Sequence, residues 1–437
     1  MTTSLVFRMA AQNLRRYWRK SLSTLLVMAV GILACNVLYG YVDATLDLTS
    51  EAFTRWGARG QLMIESPVAE GAAQEDAAKV LLTEEAQRTI DSVLGETQGV
   101  MAYARLLEIS GLVSDGRTNA IFTGIGQDVE KIRAIKGPEY EYDVVAGKPL
   151  WATAGTPSMI VGQELARTLS CKVPDVGFSP TKPGEKPEER PFECDRPDFQ
   201  LSVVTNEGQI NAVSFPATGV MDWGIKEINQ RLVVLPMKDA QELMNTQSVS
   251  KYHVRLADGV SMEDAREKLM KAFEAKGLKV RVFYWSDRAT FYHQVYGLLM
   301  GFFGFVLAIT LVVSFMSLLN TSYVNFMGRI REFGTLRSMG FSKEFVLSLC
   351  WVESLLLALV AGAMGLLASA AVTLSVRMAG LSWVPPGSSN AVPITISWSA
   401  PAYTLSIAVL AVVAVGASAI PALKSTRKTI REALSDL

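Results

Sequence analysis

The 437-residue chain balances 42 Lys+Arg against 42 Asp+Glu, a formal net charge of zero, which excludes a nucleic-acid binder that works through a net basic footprint. Charged residues make up only 19% and hydrophobic residues 49%; this composition excludes a disordered chain and places part of it in lipid.

Residues 1–20 carry Arg8, Arg15, Arg16, Arg19 and Lys20 with no acid and read as a cytoplasmic amphipathic N-terminus. Ser21–Val42 then runs 22 residues without a formal charge. Its apolar stretch exceeds the ~7–15 residues of a signal-peptide core and no A-x-A site follows, so an uncleaved first span is expected over 21–43. Residues 44–290 contain no lipid-length run and show the patterning of a soluble domain. Strands are expected at Leu62–Glu65, Arg105–Val113 and Asn119–Thr123, the last two joined by an Asp115-Gly116 turn. Thr83 caps a helix over Thr83–Leu94 that Gly95 ends. A second hairpin runs Phe199–Thr205, turns at Asn206-Glu207-Gly208 and returns over Gln209–Phe215. Strand Arg231–Leu235, helix Met237–Met244, strand Tyr252–Leu256, helix Ser261–Ala275 closed by Gly277, and strand Leu278–Trp285 complete an α+β domain of one or two lobes. Ser261 with Asp264 resembles a capping box.

The second span lies within the 40-residue uncharged run Ala289–Gly328, which only His293 interrupts; stalk and span are expected over 291–324. Residues 325–344 form a basic connector. A third span follows over 345–376, a short outer loop over 377–399, a fourth span over 400–423 and a tail over 424–437. With four spans, the Lys- and Arg-rich segments 1–20, 329–344 and 424–437 share one side, which the positive-inside rule makes the cytoplasm. The expected fold is thus a four-helix membrane protein with a large extracytoplasmic α+β domain inserted between helices 1 and 2.

Cys171 and Cys194 both fall in the outer domain, separated by 22 residues that include Pro174, Pro180, Pro183, Pro187 and Pro191. A disulfide there typically contributes ~2–4 kcal/mol, and an oxidising compartment permits it. Cys35 and Cys350 sit in spans as small apolar residues. Catalytic signals are missing: no G-x-x-x-x-G-K-[ST], no G-x-S-x-G, no C-x-x-C, and only His253 and His293. No catalytic residue and no metal site are assigned.

The connector carries the functional signal. Phe333, Leu336 and Met339 recur at i, i+3 and i+6, giving an apolar ridge flanked by Arg329, Arg331, Glu332 and Arg337 and ended by Gly340. Such an element can set its ridge into a partner's groove, where a plain positive-inside loop needs no ridge. Glu353, ~12 Å of helix past the connector, is either tied to an arginine such as Arg329 or Arg331 or snorkelling to the interface. If Ala289–Val324 is one helix it covers ~54 Å against a ~30 Å hydrocarbon core, so it projects outward as a stalk carrying Trp285, Phe291, Tyr292, His293 and Tyr296. The first span extends likewise and presents Phe53 and Trp56. The aromatic rim Phe53, Trp56, Phe291, Tyr292 and Tyr296 is a candidate cargo contact, against the alternative of an interfacial aromatic belt. Small-residue spacing at Gly297, Gly301 and Gly304, and at Ala361 with Gly365, suits close helix contact.

The string Arg331-Glu332, Gly334, Leu336-Arg337, Gly340 and then Glu353 resembles the signature of the FtsX/MacB-type ABC permeases, as do the four-span layout and the tail Pro421-Ala422-Leu423-Lys424…Arg431-Glu432-Ala433-Leu434. That resemblance implies a non-catalytic permease whose connector is a coupling helix resting on a separate cytoplasmic ABC ATPase, present in two copies. ATP and Mg²⁺ are then bound by that partner, with no cofactor in this chain. It further implies a second permease copy or paralogue, a periplasmic carrier or adaptor as an additional partner, and mechanotransmission to the outer domain in place of a pore. Gly60-Gln61-Leu62-Met63-Ile64, Gly124-Ile125-Gly126 and Gly219–Leu243 resemble the lipoprotein-releasing LolC/LolE branch, implying lipoprotein or other apolar cargo; the proline-rich 172–197 insert departs from it. A regulatory scaffold of the same architecture and a membrane sensor unrelated to ATP are the alternative readings.

Overall fold

The computed structural model describes residues 2–67, 81–174, 176, 189–385, 387–389 and 391–427. Residues 175 and 177–188 of the 172–197 insert, and the tail beyond Arg427, lie outside these residues. In chain order, helix α1 (Thr2–Arg16) breaks at Tyr17 and α2 (Trp18–Glu51) follows, running into a five-residue π-helical turn, Ala52–Trp56. The inserted domain comprises β1 (Leu62–Glu65), α3 (Glu84–Glu96), β2 (Val100–Ser114), β3 (Asn119–Gln127), α4 (Val129–Lys136), β4 (Ala146–Gly147), β5 (Met159–Gly162), α5 (Gln163–Thr168), β6 (Cys171–Lys172), β7 (Glu193–Cys194), β8 (Asp198–Val204), β9 (Ile210–Met221), α6 (Lys226–Asn229), β10 (Leu232–Pro236), α7 (Met237–Met244), β11 (Lys251–Leu256), α8 (Met262–Ala275) and β12 (Arg281–Tyr284). Then come α9 (Thr290–Met327), α10 (Ile330–Ser338), α11 (Lys343–Ala379) and α12 (Ala400–Arg427).

Helices α2, α9, α11 and α12 are long and apolar enough to cross a membrane. Each overruns the bounds expected from charge alone, because a helix continues past the last apolar residue until a cap or breaker stops it. α9 is a single unbroken helix of 38 residues, about 57 Å at 1.5 Å per residue. It is apolar on every face, as suits a lipid environment. Ser342 caps α11, its hydroxyl accepting from the Phe345 N–H at 3.2 Å.

The chain divides into two compact units, residues 1–47, 294–381 and 393–437 in one, and residues 48–293 with 382–392 in the other. In the first, Leu25, Met28 and Ile32 of α2 pack with Leu318 of α9, Leu357 and Ala361 of α11, and Ala414 and Ala417 of α12. Gly365 of α11 faces α2 so closely that a Cβ would lie 2.7 Å from the Ala29 carbonyl oxygen and from Ile32, the use of a small residue that close helix contact in lipid requires. Gly297, Gly301 and Gly304 meet no neighbour within 4 Å, so their spacing serves no contact among the described residues of this chain.

The second unit is built on a ten-stranded sheet. β2 is long enough to serve two groups of strands: Val100–Leu106 pairs antiparallel with β11, and Gly111–Ser114 pairs with β8. From β2 the pairing runs through β3, β10, β5, β9 and β8 and returns to β2, a closed hydrogen-bonded circuit of six strands. β11, β1 and β12 extend the sheet outside it. Inward-facing Leu107, Ile109, Phe122, Phe199, Leu201 and Val233 are buried in the main core. Three local expectations need correction. α3 passes through Gly95 and ends at Thr97, whose N–H bonds the Val93 carbonyl at 3.0 Å. The strand expected over Leu278–Trp285 is only Arg281–Tyr284, because Trp285 begins a 3₁₀ turn. β2 begins five residues earlier than Arg105, where β11 offers its edge. Thr83 and Ser261 cap α3 and α8 by accepting from the Ala86 and Asp264 N–H groups.

Candidate functional site

Connector helix α10 is fixed at both ends. At its start Arg329 is buried, and a buried guanidinium needs partners for its donors. Its Nη1 donates to both carboxylate oxygens of Glu353 at 2.9 and 3.1 Å, and its Nε to Glu332 Oε2 at 2.7 Å. Asn13 of α1 donates through Nδ2 to Glu353 Oε1 at 2.5 Å, and the Tyr17 hydroxyl donates to Glu332 at 3.1 Å. The guanidinium also lies over the rings of Tyr17 and Phe333, 5.3 Å from each centroid. Partial burial pushes the Glu332 carboxyl up, but the Arg329 bond and charge and the Tyr17 hydroxyl outweigh it and hold that group below the usual carboxylate range. A small cavity of about 30 Å³ adjoins the cluster, with Asn13, Ser21, Thr321 and Asn325 among its lining side chains and room for a bridging water.

At its far end α10 closes in a complete Schellman motif. The Phe341 N–H bonds the Leu336 carbonyl at 3.2 Å and the Gly340 N–H bonds the Arg337 carbonyl at 3.1 Å. Gly340 adopts φ 97°, which only glycine takes cheaply. Arg337 Nη1 donates to the Thr426 carbonyl near the end of α12 at 3.4 Å.

These contacts revise the expected apolar ridge. Phe333 is buried among Phe326, Val346, Cys350 and Ala422, and Leu336 packs beside it, so both hold α10 onto the helix bundle. Met339 alone of the three is strongly exposed, at 63%, with Arg331 and Gly340 exposed beside it. The reason is geometric: a nine-residue helix between two spans must bury one face on them, and the apolar face is the one buried. Of the eight connector residues named from sequence, Arg329, Phe333, Leu336 and Arg337 face inward contacts, whereas Arg331, Glu332, Met339 and Gly340 reach the surface.

The five rim aromatics separate as well. Phe53 is buried, stacked on Trp285 at 5.7 Å and edge-on to Trp223 at 5.4 Å; as a core residue it is unsuited to the cargo contact expected of it. Trp56 stacks on Trp223 and Tyr292 packs edge-on to Trp285 at 4.8 Å. Phe291 and Tyr296 are exposed. Cys171 and Cys194 are directly opposite on β6 and β7 and joined by a disulfide; Cys35 and Cys350 are free and buried. Sequence reasoning missed Asn13 and Tyr17, since nothing in an N-terminal helix announces which distant carboxylates it will meet. Among the described residues no group of His, Cys, Asp or Glu converges to hold a metal ion.

Comparison with known proteins places the chain. Residues 21–272, more than half of it, match the MacB-like periplasmic core domain, and residues 304–430 match the FtsX-like permease C-terminal domain. No curated protein matches the sequence significantly. Among solved structures, the chain is similar to the extracellular domain of the noncanonic ABC-type transporter YknZ from Gram-positive bacteria, at 16% identity and a TM-score of 0.32, covering 51% of this chain and 98% of that one. It is also similar to the periplasmic region of MacB from Actinobacillus actinomycetemcomitans, at 11% identity and a TM-score of 0.33, covering 52% and 90% respectively. Membership rests on the two sequence-family matches, which together take in both the inserted domain and the spans: the chain belongs to the FtsX/MacB-type permeases of ABC transporters.

Proposed function

We propose that this permease couples a separate cytoplasmic ABC ATPase to movement of its inserted domain. Two ATPase copies seat on the exposed side of α10, around Arg331, Met339 and Gly340, in a complex that holds two permeases. ATP and Mg²⁺ are bound by the ATPase. The observation that carries this reading is the stapling of α10 to α11 by Arg329 and Glu353, which makes connector and span one mechanical piece; the unbroken α9 gives that piece a stiff companion. In this reading residues 1–20, the connector and the tail are cytoplasmic, the inserted domain lies outside the inner membrane, and the Cys171–Cys194 disulfide suits that compartment. The cargo proposed with it is lipid-anchored or otherwise apolar, and a periplasmic carrier or adaptor receives it.

Affinity purification of the full chain from membranes tests the coupling. An ATPase is expected to co-purify and to be lost from a variant in which Met339 and Arg331 are both replaced by Asp. A chain that purifies without any ATPase would end this reading in favour of an ATP-independent sensor. Release of a lipoprotein from spheroplasts separates a transporter from a regulatory scaffold, which would bind the ATPase and release nothing.

A further inference from the structure

The loop between α11 and α12 is fastened to the inserted domain by a buried polar clasp. Asp222 and Asn229 are fully buried. Asp222 Oδ1 accepts from Ser389 Oγ at 2.5 Å, Asn229 Nδ2 at 2.6 Å and the Gly224 N–H at 2.9 Å. Around it the backbones pair as a short bridge: the Lys226 N–H bonds the Gly387 carbonyl at 3.0 Å and the Ser389 N–H bonds the Gly224 carbonyl at 3.1 Å. Ser388 Oγ also donates to the Gly224 carbonyl at 3.0 Å. A buried carboxylate is retained at considerable cost unless its hydrogen bonds are made, and here one of them comes from a residue 167 positions away.

Between Asp222 and Gly224 stands Trp223, and its ring faces the other way. It packs on Phe53 and Trp56 of the π-helical turn that ends the first span helix, with Arg59 over its face at 5.9 Å. Phe53 in turn stacks on Trp285, and Trp285 meets Tyr292 in the first turn of α9. Three consecutive residues therefore connect to segments contiguous with all four span helices: directly to Phe53 and Trp56 with the first, by way of Phe53 and Trp285 to Tyr292 with the second, and directly to Gly387–Ser389 with the third and fourth.

We propose that Asp222-Trp223-Gly224 is the joint at which the third and fourth spans are coupled to the inserted domain, with Asp222 as a positioning residue that keeps the 387–389 loop clamped. The joint deepens the mechanical reading above and rests on it for its purpose, but its own test does not need the ATPase. The Ile225–Ser388 pair lies between the two bridge hydrogen bonds, the close, non-hydrogen-bonded position that suits a disulfide. In the full chain carrying Ile225→Cys and Ser388→Cys, peptide mapping of the non-reduced protein from membranes should find positions 225 and 388 linked in most molecules. Asp222→Ala or the milder Ser389→Ala should lower that yield several-fold and raise deuterium uptake over 382–392. Trp223→Ala should raise uptake over 52–57 while leaving the linkage in place. In complex with a co-purified ATPase, Asp222→Ala should lose most of the ATP-dependent change in inserted-domain exchange, and the 225–388 disulfide should restore it until reductant is added. Absence of the link, or an Asp222→Ala chain indistinguishable from the parent, would overturn the joint. Failure of an ATPase to co-purify would instead strike the mechanical reading and leave the linkage result standing.

Discussion

Arg329 holds two carboxylates and two aromatic rings at once, so its loss and the loss of its partners should not be additive. Breaking a buried ion pair by removing one member typically costs about 3–5 kcal/mol. Glu353→Gln should therefore lower the thermal unfolding temperature of the detergent-solubilised chain by several degrees and weaken ATP-coupled function. A double-mutant cycle with Arg329→Ala should give a coupling energy of roughly 1–3 kcal/mol, and a value near zero would remove the tie. His253 offers a second test. Its ring is buried, with Nδ1 on the Ala58 carbonyl at 2.8 Å; burial chiefly, with the nearby charge of Lys251, pushes its pKa from the ordinary 6.5 down to about 3. Below pH 6.5 the unfolded chain takes up a proton that the folded chain refuses, so stability is full above 6.5 and is lost as pH falls toward 3, by on the order of 4 kcal/mol. Chemical unfolding at pH 7 and pH 4 should show this loss in the parent and a smaller one in His253→Gln. At this scale the sequence was partly readable. A lone acid inside a span stands out as Glu353 does, and its partner narrows to Arg329 or Arg331; the choice of Arg329 needed the fold, because it depends on which side of a short helix faces inward.

Elements were more legible than their contacts. α7 has the expected limits of Met237–Met244, since Pro236 and Asn245 bound it, and the Thr83 and Ser261 caps are local chemistry that no distant packing overrides. Short pieces such as β5 and α5 escaped, because four to six residues carry too little periodicity to register. The connector shows the converse limit. Its apolar spacing is plain in sequence, but spacing gives a face without giving its neighbour, and that neighbour is the bundle at Phe333 and solvent only at Met339. Phe333→Ala should thus cost about 3–5 kcal/mol through the cavity it leaves, read as a lowered unfolding temperature. Met339→Asp should leave that temperature within a degree or two yet weaken ATPase retention. The reverse pattern would place the docking face on Phe333.

For the whole molecule, the spans follow from charge-free runs and the β2–β3 and β8–β9 hairpins from their turns, whereas the closing of those hairpins into a circuit through β10 and β5 is a matter of long-range pairing with no sequence mark. The disulfide staples β6 to β7 beside that circuit. Replacing Cys171 and Cys194 by Ser should destabilise the inserted domain by about 2–4 kcal/mol, seen as a lower melting temperature that reductant reproduces in the parent and leaves unchanged in the variant. The length of α9 has one more consequence. A helix couples distance to azimuth, each residue adding about 1.5 Å and 100°. Seven residues inserted near its midpoint would lengthen it by roughly 10 Å while turning its N-terminal end only about 20° from register, whereas two would add about 3 Å and swing that end by nearly 200°. If α9 works by orientation, the smaller insertion is the more damaging; if by reach alone, the larger one is.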